Sequence, residues 1–230
     1  LRGAIGDWPA LRNWSLPYFK EAFGERELPI IREKNGSHYA VDTGLHYDRI
    51  RFGDYCDLLA DGGPHGLYLS VRVHEAIPEL FDDIRRPAYT ASARWARSRF
   101  WMGGPGAKGP LHRDLPENLY AQIGGRKRFL LLDRRLTHMV HRHSFRSGVP
   151  NYSPVDAEAP DLSQYPRFRG APVLYADLEP GDLLYIPSMW WHQARSLTTS
   201  YAVNLWWLNG PKVVVARLAE LYMRVRGLNL

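Results

Sequence analysis

A chain of 230 residues, 45% hydrophobic and 23% charged, is long enough to bury a core and has the balance of a globular protein, which excludes a fibrous or disordered polymer. One cysteine, Cys56, excludes an internal disulfide framework and fits a reducing, cytoplasmic compartment, and no apolar run reaches the ~20 residues that a membrane-spanning helix needs. The formal charge of +6 is spread out with no block of five or more like charges, which suits an anionic partner, RNA or a small dicarboxylate, without demanding one.

No basic start leads into an apolar stretch, so no signal peptide is read; the chain opens on Leu1, which leaves an upstream segment open. Residues 1 to about 65 read as mixed and helical. Ser15 caps a helix through Pro17, Phe19, Ala22 and Phe23, and Gly24 stops it. Asp54 caps another through Tyr55, Leu58 and Leu59, ending near Gly62 and Gly63. Residues 67–73 read as a strand, and residues 75–84 as a short helix entered around Pro78.

From Arg97 the pattern changes. Residues 99–102, 118–123, 128–132, 183–186, 190–195 and 201–207 read as strands separated by turn signals at 103–106, 124–125 and 179–182. Short strands with such turns predict a mainly β sandwich or barrel, its core strands starting near residue 66. Residues 136–172, rich in Pro, Ser, His and Arg, form a long insert. After Pro211, Val214, Leu218, Leu221 and Val225 recur at helical spacing, a seam that packs on its own sheet or on a second copy as a homodimer contact. The organisation is one domain over residues 1–210 and a C-terminal helix over 211–230.

The stretch from His112 to Lys127 carries the chemistry. Side chains two apart in a strand share a face, so His112 and Asp114 go together, as do Asn118, Tyr120 and Gln122. A two-residue hairpin at Gly124 and Gly125 sets Gln122 opposite Lys127 and adds the lysine to the Asn118 face. A straight strand from Asp114 to Gln122 spans about 26 Å, too far for one small ligand, so the chain must bend at Leu115, Pro116 and Glu117. A second hairpin centred on Thr198 sets His192 opposite Asn204. Two imidazoles and one carboxylate with open positions suit non-haem Fe(II), and Mn(II), Co(II) or Ni(II) fit the same donor set.

H-x-D alone is weak, since His46-Tyr47-Asp48 repeats it without the partners downstream and reads as structural or surface. His138, His141 and His143 read as solvated loop histidines before a second metal site. Arg94, Trp95, Arg97, Arg99, Phe100 and Trp101 interleave base and aromatic, as an RNA grip or, more simply, a half-buried strand. Trp191 reads as core and Trp190 as lining of the His192 pocket.

In order the motifs are H-x-D, Asn four residues later, Q-x-x-G-x-K, E-P-G-D-x-L-Y-I-P-x-x-W-x-H and V-N-x-W. This combination resembles the JmjC-type, cupin-like family of Fe(II)/2-oxoglutarate oxygenases, in particular the subgroup around the asparaginyl hydroxylase that inhibits hypoxia-inducible factor. Leu1-Arg2-Gly3-Ala4 and Asp7-Trp8-Pro9 are similar to that subgroup's opening segment. The resemblance covers most of residues 1–210 and implies a double-stranded β-helix (jelly roll) flanked by N-terminal helices and a C-terminal helix. It implies iron on His112, Asp114 and His192. Lys127, and Tyr68 with it, would bind the distal carboxylate of 2-oxoglutarate, and Asn118 and Asn204 would lie near its chelating end.

The implied activity is O2-dependent hydroxylation of a C–H bond on a protein or peptide side chain, with an RNA (tRNA) base or a small molecule as alternatives. Lysine demethylation occurs in the family, but nothing here marks a methyl-lysine cage. A reading of another class is a non-catalytic metal-binding cupin module, which has no need of a lysine facing the metal. In one departure, close relatives carry Thr or Ser three residues before the first iron ligand, where this chain has Gly109 and offers no hydroxyl.

Overall fold

Ser15 opens a helix as its sequence dictates: its hydroxyl accepts the N–H of Tyr18, Pro17 sits where no N–H is needed, and Gly24 follows the last turn. The computed structural model containing it describes residues 1–32, 47–62, 66–87, 95–147, 149–215 and 218. Among these, the elements in order are α1 (Ala10–Asn13), α2 (Leu16–Phe23), β1 (Glu27–Arg32), β2 (Tyr47–Arg51), α3 (Phe52–Ala60), β3 (Leu67–Arg72), α4 (Val73–Ala76), β4 (Trp95–Gly103), β5 (Leu111–Arg113), β6 (Glu117–Gly124), β7 (Lys127–Leu132), β8 (Tyr152–Ser153), β9 (Leu174–Leu178), β10 (Leu183–Ile186), β11 (Trp191–Ser196) and β12 (Ser200–Leu208). Replacing Ser15 by alanine removes the cap bond. Urea unfolding followed by circular dichroism is expected to show a loss of ~1 kcal/mol, the usual cost of an N-cap hydroxyl.

The strands form two antiparallel sheets, in the orders β10-β6-β12-β4-β3-β1-β2 and β8-β5-β11-β7-β9. The chain shuttles between them. β5, β7 and β11 lie in the smaller sheet, and β6, β10 and β12 in the larger. That is the mainly β jelly roll expected from the sequence. Strand parity sorts the side chains into layers. Leu119, Ala121 and Ile123 of β6 and Phe100 and Met102 of β4 face out onto the helices, where Phe19 packs its ring on Trp14, Phe52, Phe100 and Tyr201. Leu111, Leu130, Leu132 and Trp191 face out from the smaller sheet onto Val140, Val155 and Phe168 of the insert. Between the sheets lie Tyr120, Phe129, Leu131, Leu178, Ile186 and Ala202, with Trp101, Trp190 and Ala194 against them.

Several local expectations are corrected. β6 and β7 are not a ladder pair, and neither are β11 and β12: each pair spans the two sheets. The corner at Gly124 and Gly125 exists because the 197–200 loop lies against it. A Cβ on Gly124 would collide with the Tyr201 ring, and one on Gly125, at φ +67°, with the Thr199 carbonyl. The first 65 residues include strands β1 and β2 as well as helices. α3 starts at Phe52, with Arg51 at the cap, and Asp54 sits in its first turn. The helix expected over 75–84 is two pieces, α4 and a 3₁₀ turn at Pro78–Asp83, broken at Ile77, which has φ −144°. β9 escaped the sequence reading; its Leu174 and Tyr175 are exposed, so no buried stripe marks it.

The chain does bend between Arg113 and Glu117, where Met189 N–H donates to the Asp114 carbonyl and Ser188 Oγ to that of Leu115. Residues 212–215 are helical. Val213 packs on Leu208, and Val214 and Leu218 of the expected seam are exposed. Leu221 and Val225 lie outside the described residues, as does His46. Asp48 sits on an edge strand in an ion pair with Arg32 at 2.8 Å. Among the described residues no helix is long and apolar enough to cross a membrane.

Candidate metal and cosubstrate site

His112 and His192 are direct partners across the β5–β11 ladder, and both side chains turn inward. Their ring centroids are 4.2 Å apart. Asp114 follows β5 into the bend and brings Oδ2 to 3.9 Å from His112 Nε2 and 3.7 Å from His192 Nε2. Among the described residues this is the one group of three His, Cys, Asp or Glu side chains whose ligand atoms converge, all within 4.8 Å of one another. His138, His141 and His143 do not converge in that way.

The tautomers are set from behind. His112 Nδ1 lies 2.9 Å from the Pro110 carbonyl, and His192 Nδ1 lies 3.1 Å from that of Trp190. A carbonyl only accepts, so each Nδ1 carries the proton and each Nε2 presents a lone pair inward. Burial, then the neighbouring His112, lowers the His192 pKa to about 4, so its ring is neutral and able to ligate at neutral pH. Among the described residues Asp114 Oδ2 is buried with no hydrogen-bond partner, which is costly for a carboxylate left alone and ordinary for one that ligates a cation. This donor set fits a divalent ion of the Fe(II) type. Tyr152 of β8 stacks on His112, centroids 5.5 Å apart at 15°, and fixes the outer side of that ring.

Lys127 opens β7 and points between the sheets with 1% of its surface exposed. Its Nζ donates to Tyr68 Oη and Tyr120 Oη, both at 2.9 Å. No carboxylate accompanies it there among the hydrogen bonds and ion pairs of the described residues, and burial lowers its pKa to about 7. A desolvated ammonium held by two phenols has the charge and donors to bind a carboxylate. Asn118 and Asn204 meet through Asn204 Nδ2 and Asn118 Oδ1 at 3.3 Å. Asn204 Oδ1 accepts from Trp101 Nε1 and from the Arg99 N–H, both at 3.1 Å, so the amide is held in one orientation. A Cβ at Gly109 would meet nothing within 4 Å, so the place of the missing hydroxyl is open space.

All seven side chains singled out from sequence thus face the space between the sheets. Lys127 reaches Tyr120 across that space rather than along a ladder, and His192 and Asn204 likewise come from opposite sheets. Sequence reasoning missed Tyr120 as a partner of Lys127, although parity had put it on that face. It also missed Tyr152 and the two carbonyls that orient the imidazoles, for which no sequence signal exists. Of the interleaved run, Phe100 is core and Trp101 supports Asn204, while Arg94 lies outside the described residues. Trp190 packs on the inner cluster and, with Glu117, Asp133, Arg134, Arg135, Tyr185, Pro187 and Ser188, lines a cavity of about 330 Å³.

The profile of the cupin-like domain family matches residues 1–212. Over 214 residues the chain is 33% identical to lysine-specific demethylase 8 of Xenopus tropicalis, covering 90% of this chain and 47% of that protein. It is 28% identical over 240 residues to the human bifunctional peptidase and (3S)-lysyl hydroxylase, covering 90% of this chain and 76% of that one. It is 31% identical over 221 residues to human tRNA wybutosine-synthesizing protein 5, covering 88% and 69%. The chain spans about half the length of the lysine-specific demethylases it matches, among them those of Xenopus tropicalis and Danio rerio (47% and 52%).

Proposed function

The chain belongs to the JmjC-type, cupin-like family, and from that premise we propose that it is a hydroxylase using Fe(II), 2-oxoglutarate and O2. The observation carrying this reading is a buried, partnerless carboxylate oxygen beside two oriented Nε2 atoms, inside the same pair of sheets that buries Lys127. His112, Asp114 and His192 hold the metal. Lys127 takes the distal carboxylate of 2-oxoglutarate as a point charge, Tyr68 adds a hydrogen bond beside it, and Asn118 and Asn204 position the chelating end. Bound Fe(II) supplies the redox chemistry: 2-oxoglutarate and O2 become succinate and CO2 while the second oxygen atom enters a C–H bond as a hydroxyl. The protein aligns cosubstrate and target, and Phe129, Leu131 and Ile186 keep the space between the sheets dry.

For the target, a protein or peptide side chain is the first reading, supported by the names of the demethylase and lysyl hydroxylase relatives. An RNA base is the second, supported by the tRNA-modifying relative and by the arginines of the insert. The test of the chemistry is succinate release from 2-oxoglutarate with added Fe(II). Wild-type turnover that is lost in His112→Ala is expected. Metal binding with neither turnover nor 2-oxoglutarate binding would select the non-catalytic cupin module instead.

A further inference from the structure

Residues 134–155 hold four arginines and three histidines and no carboxylate, and residues 134–170 carry six arginines against three carboxylates, half of the chain's formal +6. The fold gathers part of that charge. Arg135, Thr137, His138, Arg142, His143, Ser144 and Arg167 line a cavity of about 700 Å³ on the insert, with no acidic and no apolar side chain among them. Arg135 is paired with Asp133 at 2.8 Å, so it is discounted. Arg167 is held in place by His141, whose Nε2 accepts its N–H at 3.1 Å, and Arg142 Nη1 donates to the His143 carbonyl at 3.1 Å. His143 Nε2 is buried with no hydrogen-bond partner among the described residues, an orphan at the cavity wall.

The cavity is tied to the metal site. Thr137 Oγ1 accepts from Trp191 Nε1 at 3.0 Å and from Arg113 Nη1 at 3.3 Å, and Arg113 stands in sequence between His112 and Asp114. Arg135 also borders the cavity beside Trp190, so the two cavities are neighbours on the same face of the insert. Gathering guanidinium groups with no carboxylate in the lining costs folding energy and is offset when an anion binds. An acidic peptide is the competing occupant for such a lining, and the polyglutamate arm of the test separates it from RNA. A chain of phosphates needs only cations and hydroxyls.

We propose that this cavity binds the phosphodiester backbone of an RNA, through Arg142, Arg167 and His143. The inference rests on the second reading of the target, and its success would move RNA ahead of protein. The test is fluorescence anisotropy of a labelled RNA hairpin, without iron or cosubstrate, on wild type, on Arg142→Ala/Arg167→Ala and on the control Arg49→Ala/Arg51→Ala, which removes equal charge from β2. The cavity variant is expected to bind at least ~10-fold more weakly, with the slope of log K against log salt smaller by about 1.4–1.8 for two lost phosphate contacts. The control should match wild type. Ser144→Glu, which places a negative charge in the same cavity, should weaken binding as well. Retained succinate release by these variants shows that they fold. Equal weakening in the control, an unchanged salt slope, displacement of the RNA by polyglutamate at matched charge, or no binding at low salt would each overturn the proposal. Absence of succinate release from wild type with added Fe(II) and 2-oxoglutarate, alongside intact RNA binding, would instead overturn the oxygenase reading alone.

Discussion

His192→Ala is expected to lose both Fe(II) binding and turnover. The ring is buried, neutral and oriented by the Trp190 carbonyl, so its Nε2 is a preformed ligand atom and not a surface group that a neighbour can replace. Losing an outer partner of a metal ligand costs 10–100-fold, and losing the ligand itself should exceed that, so we expect succinate release to fall at least ~10³-fold. The companion readout is thermal. Mn(II) should raise the wild-type melting temperature and leave that of the variant unchanged, because only an ion bound to the folded state shifts unfolding. A variant that still binds Mn(II) and turns over would remove His192 from the site.

Lys127→Met separates binding from stability. Truncating one side of a buried charge pair costs about 3–5 kcal/mol, so kcat/KM for 2-oxoglutarate is expected to drop by ~10²–10⁴-fold. The same change should stabilise the protein without cosubstrate, because wild type buries an ammonium between two phenols with no carboxylate beside it among the described residues. The folded pKa, about 7, lies below the ordinary lysine value of 10.5, so between those values the unfolded chain binds more protons and stability rises with pH. The stabilisation by Lys127→Met should therefore be fully present at and below pH 7 and fade towards pH 10.5. Binding of 2-oxoglutarate requires the charged lysine, so wild-type affinity should be flat below about pH 7 and fall above it, and the variant should show no such break. Urea midpoints across that range and calorimetric titration with 2-oxoglutarate check both halves.

The site was more legible than the path of the chain. His112, Asp114, Asn118 and Lys127 sit at spacings where parity alone decides which side chains share a face, and a buried face enforces parity. Parity does not say which strands pair. Gly124-Gly125 reads as a hairpin turn because a tight hairpin and a jelly-roll corner use the same residues. The difference lies in the 197–200 loop, more than seventy residues away, that packs on the corner. β9 was invisible because its outer residues are exposed at a sheet edge, and α3 began early because Phe52, fully buried, outweighs the capping preference of Asp54. Tyr152 could not be assigned to His112 from sequence, since a two-residue strand inside a long insert leaves no periodic trace.

The most direct measurement is a crystal structure of the chain grown with Mn(II) and 2-oxoglutarate, using anomalous scattering to locate the metal. The account predicts one ion within bonding distance of His112 Nε2, His192 Nε2 and Asp114 Oδ2, with the distal carboxylate of 2-oxoglutarate on Lys127 Nζ. An ion held elsewhere, or a cosubstrate that leaves Lys127 with only its two tyrosines, would contradict it.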